Sequence, residues 1–575
     1  MNNDKIQTIV QKIGRVINVS EVKWTAEQQD AIYEKNSNIL VAAAAGSGKT
    51  AVLVERIINK IINEKIDIDR LLVVTFTNAA ASEMRERVLD AIYKKLEKTP
   101  DDENLQRQIT LLGKANICTI DSFCLDVVRN NFFEFENLSP NFRIGDTTEI
   151  ELLKQDILED MFEKKYEEKN EDFLKLIDTY TSYRDDTPLK DLILKIYQYI
   201  QSNPFPKKWL DEKVEMFNIG QNLQVDFSNT PWGKILLKEV EEEVIDDISA
   251  LEKVEEDLSR DDELEIFKNT ISNDIKQLQN LKDNVDSWDK AYIIIQNIIF
   301  DRWPGKRISS EVKNEAKKTR DDIKDKFKKV LSKILLCDSE EANHDIYDMY
   351  FILKKLEKLI LEFGDQFKKS KREKNMVDFN DIEHLALSIL IKQDENGNIE
   401  KTDIAKKYQN KYEEIAIDEY QDSNLVQEYI LNAVSKDNNI FMVGDVKQSI
   451  YKFRQAMPEL FLNKYFNYSK KEERNNQNDN LPDLKIQLFK NFRSKENVLK
   501  FTNIIFQDIM SKNLGDIEYN TEEYLNLGAS YPEVNQNENV EIDVLNLEEP
   551  DKKEEFDEED EQEEIIEGTE DEAVE

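Results

Sequence analysis

The sequence predicts an α/β fold, a parallel sheet split by a large helical insertion. Two observations carry that expectation. Short β-branched runs alternate with amphipathic stretches near both ends of the chain, and a long block between them has helical periodicity with few strand-like runs. Ile39-Leu40-Val41 reads as a strand, residues 51–58 as a helix, and Leu71-Leu72-Val73-Val74-Thr75-Phe76 and Ile117-Cys118-Thr119-Ile120 as further strands. From about residue 149 to 370 the pattern is helical, with an acidic part (237–265) and a basic part (306–333) that are candidates to pair or are simply solvated faces. The α/β rhythm returns at Ile415-Ala416-Ile417-Asp418 and at 439–445. A third region opens near Leu484-Lys485-Ile486-Gln487-Leu488 and continues as a helix over 497–510, and beyond Glu548 the composition is that of an acidic, disordered or loop-like segment. The expected divisions are 1–148, 149–370, 371–475, 476–547 and 548–575.

Composition bounds what such a chain does. Its 575 residues suggest about three to five domains. No apolar run approaches the ~20 residues needed to span a bilayer, and Met1-Asn2-Asn3-Asp4 is no signal peptide, so a cytoplasmic protein without membrane contact is expected. Cys118, Cys124 and Cys337 are scattered and lack a CxxC, which argues against a disulfide framework, an iron–sulfur cluster or a thiolate zinc site. His344 and His384 read as helix-surface residues. The net charge is −40, of which 17 acidic residues and 2 lysines in 548–575 account for −15. The remaining acidity disfavours a polynucleotide partner without excluding one, because such a partner needs only a local basic or polar track.

Two segments specify a nucleotide site. Ala43-Ala44-Ala45-Gly46-Ser47-Gly48-Lys49-Thr50 reads as a phosphate-binding loop. Glycines let backbone N–H groups approach the phosphates, Lys49 reaches the β and γ oxygens, and the Thr50 hydroxyl can ligate Mg²⁺. Far downstream, Asp418-Glu419-Tyr420-Gln421-Asp422-Ser423 follows an apolar run. It supplies Asp418 for the metal and Glu419 to orient or deprotonate the attacking water. ATP with Mg²⁺ is the expected pair.

With these segments in place the chain resembles superfamily 1A helicases of the UvrD-like group, and within it the AddA-type proteins. The resemblance covers nearly the whole chain in the family's order. Trp24-Thr25-Ala26-Glu27-Gln28 is similar to the adenine-reading Q motif, with Gln28 its glutamine, or is a polar helix start. Thr75-Phe76-Thr77-Asn78 resembles motif Ia, which implies that Phe76, Thr77 and Asn78 meet single-stranded DNA. Ile120-Asp121-Ser122-Phe123 resembles motif Ib, with Ser122 a DNA candidate, but Asp121 stands where the family usually has His. Asp378-Phe379-Asn380-Asp381 fits both the family's DFxDL element and a helix N-cap.

Val443-Gly444-Asp445-Val446-Lys447-Gln448 through Arg454 resembles motif III. A glycine turn would present Gln448 toward the nucleotide while Tyr451, Phe453 and Arg454 offer stacking and phosphate-binding groups; in isolation Tyr451 and Phe453 would read as core, and the surrounding match reverses that. Leu488-Phe489-Lys490-Asn491-Phe492-Arg493-Ser494 resembles motif IV, implying that Phe492 and Arg493 serve the nucleotide and that Arg493 reaches the γ-phosphate. The segments 202–210 and 515–519 also look AddA-like. Lys368, Lys369, Lys371, Arg372 and Lys374 form a phosphate track or a solvated helix end.

The resemblance thus implies a phosphate-loop NTPase of RecA-like architecture. Its first motor domain, 1A, is split (1–148 and 371–475) around a helical domain 1B (149–370), and 476–547 starts domain 2A. The implied activity is ATP-dependent 3′ to 5′ DNA helicase or translocase action in double-strand break repair and recombination, on single-stranded and duplex-end DNA, with an AddB-type partner protein. Motifs V and VI and a nuclease domain are expected after motif IV and are not found before Glu575, so the chain reads as the N-terminal portion of a longer protein. The alternative is a non-hydrolysing ATP- or DNA-binding or scaffold module. A phosphate-loop ATPase unrelated to DNA would leave motifs Ia, III and IV without purpose.

Overall fold

The computed structural model describes residues 23–531 and 541, apart from 137, 182–184, 221–222, 395–396, 474–482 and 513, and apart from the side chains of 329, 330, 332 and 454. The acidic segment 548–575 lies outside the described residues. The chain forms two compact units: Met1–Ala43 with Gly48–Leu488, and Ala44–Ser47 with Phe489–Glu575.

The first unit is built on six parallel strands. Along the chain come α1 (Ala26–Tyr33), β1 (Ile39–Ala43), α2 (Lys49–Ile62), β2 (Leu71–Thr75), α3 (Asn78–Leu96), β3 (Asn116–Thr119) and α4 (Ile120–Asn130). After the helical block, which ends with α5 (Ser339–Glu373), follow α6 (Phe379–Leu390), β4 (Glu414–Ile417), β5 (Ile440–Gly444) and β6 (Leu484–Leu488). The strand order is β6-β1-β5-β4-β2-β3. Strands β2, β4 and β5 are buried along their whole length, as expected of central strands covered by helices on both faces. The core gathers around Ile39, Val41, Val73, Ala416, Phe441 and Val443.

Two expectations need correction. Leu484–Leu488 does not open a third region: it pairs residue for residue with Ile39–Ala43 as the edge strand of the first sheet. Its alternating burial is that of a strand with one covered face, and the boundary between units falls after it. Ile120 does not extend β3. The Thr119 side chain accepts the Ser122 N–H and so caps α4, which begins at Ile120.

From Thr147 to Glu373 the described elements are helices and short 3₁₀ or π turns. Two separate apolar cores hold this block, one around Phe162, Phe173, Phe363 and Phe367, the other around Val240, Phe267, Leu278 and Trp288. The acidic and basic parts do meet: Lys326 pairs with Glu243 and Asp247. At the root of the block, Arg143–Ile144 and Met376–Val377 pair in parallel, bringing its entering and leaving chains together.

The second unit carries α7 (Glu496–Ile509) and the short parallel pair Lys490–Asn491 with Asn526–Leu527. Leu499 is the buried residue of α7, while Val498, Ile504 and Ile509 are exposed. No helix among the described residues is long and apolar enough to cross a membrane.

Candidate nucleotide site and its neighbouring cavity

In the first unit the polar groups collect at the carboxyl ends of the strands, where parallel sheets hold their ligands. Helix α2 starts at Lys49 with Gly48 before it in the left-handed region (φ 85°). The Lys49 ammonium donates to Glu419 Oε2 at 2.8 Å and, at a longer 3.5 Å, to Gln448 Oε1. Thr50 lies one residue on, in the first turn of the helix. The strand β4 delivers Asp418, whose N–H donates to the Val74 carbonyl at 2.9 Å.

Glu419 has φ 52° and ψ 49°, a left-handed backbone that a non-glycine residue keeps only when its surroundings hold it. Those surroundings are Lys49 and Gln421, both donating to Glu419 Oε2. From β5 the following turn places Asp445, which accepts from Gln448 Nε2 at 2.7 Å and pairs with Lys447 at 3.1 Å.

Burial, and then the neighbouring Glu419 charge, push Asp418 and Asp422 up to about 6. Asp422 Oδ1 is buried without a hydrogen-bond partner. Three carboxylates beside one lysine leave an excess of negative charge that a divalent cation would neutralise. No group of three or more His, Cys, Asp or Glu among the described residues could hold a metal alone. Asp418 and the Thr50 hydroxyl are oxygen donors of the kind Mg²⁺ takes, one or two from the protein with phosphate and water completing its shell.

Gln28 is buried, and its Oε1 accepts the Thr25 N–H at 3.0 Å in a capping box, so it does serve the helix start. It also lies against Gly48, where a Cβ would come within 3.4 Å of its amide nitrogen. Nearby, Arg56 donates to the Ala31 and Glu34 carbonyls and to both oxygens of Glu414, which joins α1 to α2 and to the start of β4.

In the second unit, the segment Ala44–Ser47 is held by Asn491. The Asn491 amide donates to the Ala45 carbonyl at 2.7 Å, and its oxygen accepts the Arg493 and Ser494 N–H groups. The Phe492 N–H donates to the Gly46 carbonyl at 2.9 Å. Gly46 has φ 70°, and a Cβ there would lie 2.6 Å from the Asn491 amide, so both backbone and space require glycine. Arg493 is exposed. Ala43, expected in the loop, is instead the last residue of β1, buried and paired with Leu488.

The motif Ia and motif III aromatics meet. Phe76 and Tyr451 have ring centroids 4.6 Å apart, and Tyr451 and Phe453 5.8 Å. Phe453 is 70% exposed, which removes the reading of it as core. Thr77 caps α3 through the Ala80 N–H, and Thr77 and Asn78 are exposed. The Ser122 hydroxyl bonds to that of Thr119 at 2.9 Å. The Arg454 side chain lies outside the described residues.

Beside them is a cavity of about 380 Å³ lined by Phe76, Asp121, Phe379, Glu383, Asp418 and Asp422 among others. Burial raises Asp121 to about 6; burial, and then Asp121, raises Glu383 to about 7. Asp121 therefore faces the carboxylate cavity. Asp378 and Asp381 form a reciprocal capping box at the start of α6.

Two surface expectations fail. His384 is half-buried, shares a hydrogen bond with the Gln201 carbonyl at 2.9 Å, and is held below the usual imidazole range by that burial. Lys371 is withdrawn from the basic cluster, almost fully buried and paired with Asp378 and Asp381 at 2.6 Å each. His344 is exposed. The sequence alone assigns no role to Gln421, Asp422, Asp445 or Asn491. All lie inside quoted motifs, and only the order of the strands reveals what their side chains meet.

Fold and site together define a phosphate-loop α/β domain of the RecA-like class. The chain belongs to the UvrD/REP helicase family, whose N-terminal domain profile matches residues 24–469. It is 47% identical over 527 residues to an ATP-dependent helicase/nuclease subunit of Clostridioides difficile (strain 630), covering 89% of this chain and 40% of that protein. The identically named proteins from Clostridium beijerinckii and Clostridium botulinum are each 45% identical, over 90% and 94% of this chain and 41% and 44% of theirs. The chain spans about two fifths of the length of these curated relatives.

Proposed function

We propose that this chain is the ATP-hydrolysing motor region of a 3′ to 5′ DNA helicase or translocase of the AddAB type. It acts in the cytoplasm on single-stranded and duplex-end DNA during double-strand break repair, alongside an AddB-type partner. The observation that carries the reading is the meeting of Lys49, Glu419 and Gln448 at the carboxyl end of a parallel sheet whose adjoining loops bring Phe76 against Tyr451.

Gln28 reads the adenine, and the backbone of Ala44 to Gly48 cradles the phosphates. Thr50 and Asp418 would hold the magnesium ion, which when bound neutralises charge on the phosphate oxygens. Lys49 exchanges its bond with Glu419 for phosphate oxygens, which frees the Glu419 carboxylate of its ion pair and makes it basic enough to take a proton from the attacking water. Gln448 senses the terminal phosphate and carries that information along the turn to Tyr451 and Phe453, the base-stacking platform, with Thr77, Asn78, Ser122 and Arg454 as backbone contacts. Arg493 and Phe492 are assigned to the nucleotide by resemblance alone.

The test is ATP hydrolysis by the 575-residue chain with and without single-stranded DNA, beside a Mg²⁺–ATP binding assay. DNA-stimulated turnover is expected. Binding without turnover would mean a site that depends on further chain for hydrolysis, and absence of binding would end the proposal.

A further inference from the structure

The geometry points to Gln421 as a positioning residue that holds Glu419 ready and ties it to the turn after β5. Gln421 is 1% exposed and sits in the tight turn Tyr420–Asp422. Its amide nitrogen donates to Glu419 Oε2 at 2.9 Å, and its amide oxygen accepts the Asp445 N–H at 3.0 Å. Gly444 makes room for that amide: a Cβ there would stand 2.4 Å from Gln421 Oε1.

The bonds close a ring. Lys49 donates to Glu419, Gln421 to Glu419, the Asp445 N–H to Gln421, Gln448 to Asp445, and Lys49 again to Gln448. Resting on the hydrolytic reading above, the ring has a consequence for turnover. Lys49 must leave Glu419 when phosphate arrives. Gln421 is then the side chain that keeps the strained Glu419 in place and fixes which of its oxygens is available to water. The same amide holds the first residue of the turn leading to Tyr451, so a shift at either end is felt at the other. Glutamine is required because the position needs one donor and one acceptor on a planar group; glutamate would place a third carboxylate beside Glu419 and Asp422.

The experiment measures kcat and KM for Mg²⁺–ATP in the full chain for Gln421→Met and Gln421→Glu. For Gln421→Met, kcat is expected to fall about 10–100-fold, the range a misplaced reacting group costs, with KM changed by less than about threefold. For Gln421→Glu, activity relative to the unmodified chain should rise as pH is lowered from about 8.5 to about 6, because a protonated carboxyl regains the donor. Unchanged kcat in Gln421→Met, or a flat pH ratio in Gln421→Glu, would overturn the assignment; a residue that only fills space would give that flat ratio. If the unmodified chain binds Mg²⁺–ATP without turnover, hydrolysis depends on further chain and the inference is read from hydrogen exchange. Asp445 amide exchange accelerated about tenfold or more in Gln421→Met supports the clamp, and unchanged exchange overturns it.

Discussion

In the helical block, deeply buried charge is matched. Arg320 and Asp274 are almost fully buried against each other, and Arg320 also donates to the Asp301 carbonyl. The amino end of β4 follows the same rule, with Glu414 between Arg56 and Lys60. At the other end of that strand the rule is broken: Asp418, Asp422, Asp121 and Glu383 line a cavity with no lysine or arginine among its described lining residues. A matched buried pair serves the fold, whereas an unmatched group of carboxylates is held at a cost in stability that the rest of the sheet must cover.

The comparison can be broken or sharpened by substitution, from the largest expected effect down. Glu419→Gln should lower ATP turnover by about 10²–10⁴-fold, the usual share of a general base, with Mg²⁺–ATP binding retained. Normal turnover would remove Glu419 from its role. Asp274→Ala strands Arg320 without its partner and should destabilise the helical block by about 3–5 kcal/mol in chemical denaturation, with nucleotide binding under native conditions unchanged. Destabilisation below about 1 kcal/mol would show that this pair does not support the block.

The smallest effect is expected for Glu383→Gln. Because the folded-state value is raised to about 7, the carboxyl's favourable contribution is present at low pH and is lost as pH rises through about 7. Glutamine keeps the acceptor for Gln427, which donates to Glu383 at 2.8 Å, and abolishes the buried charge. The variant should therefore melt about 2–4 °C higher than the parent at pH 8 and nearly equally at pH 5. A lower melting temperature at pH 8 would mean that the charged form is stabilised in the cavity.

Much of the sheet is legible in the sequence because a buried parallel strand has little freedom in composition: Ile39–Ala43, Leu71–Thr75 and Ile440–Gly444 are apolar runs ended by polar turns. The edge strand Leu484–Leu488 is not, because part of it faces away from the core and nothing local says which distant strand it joins. Chemistry at fixed spacing makes Lys49, Asp418 and Glu419 stand out. Gln421, Asp445 and Asn491 do not, because a neutral amide or a turn aspartate acquires meaning only from its partner, and those partners come from other strands. His384 and Lys371 mislead for a related reason: a polar residue on a helix looks solvated until the neighbouring helix is placed against it.

Strand β1 pairs with β5 and β6 and with neither β2 nor β3. On the ribosome, therefore, the strand that leads into the phosphate-binding loop emerges about 400 residues before its first sheet partner. At synthesis rates of about 5–20 residues per second that interval is about 20–80 s. For that time β1 lacks both of its sheet partners, while the helical block, whose two ends meet at residues 143–144 and 376–377, has been synthesised in full. The order of strands in the sheet thus leaves β1 without its partners through most of the synthesis of this chain, and it sets the earliest moment at which the strand-borne groups of the nucleotide site are all present.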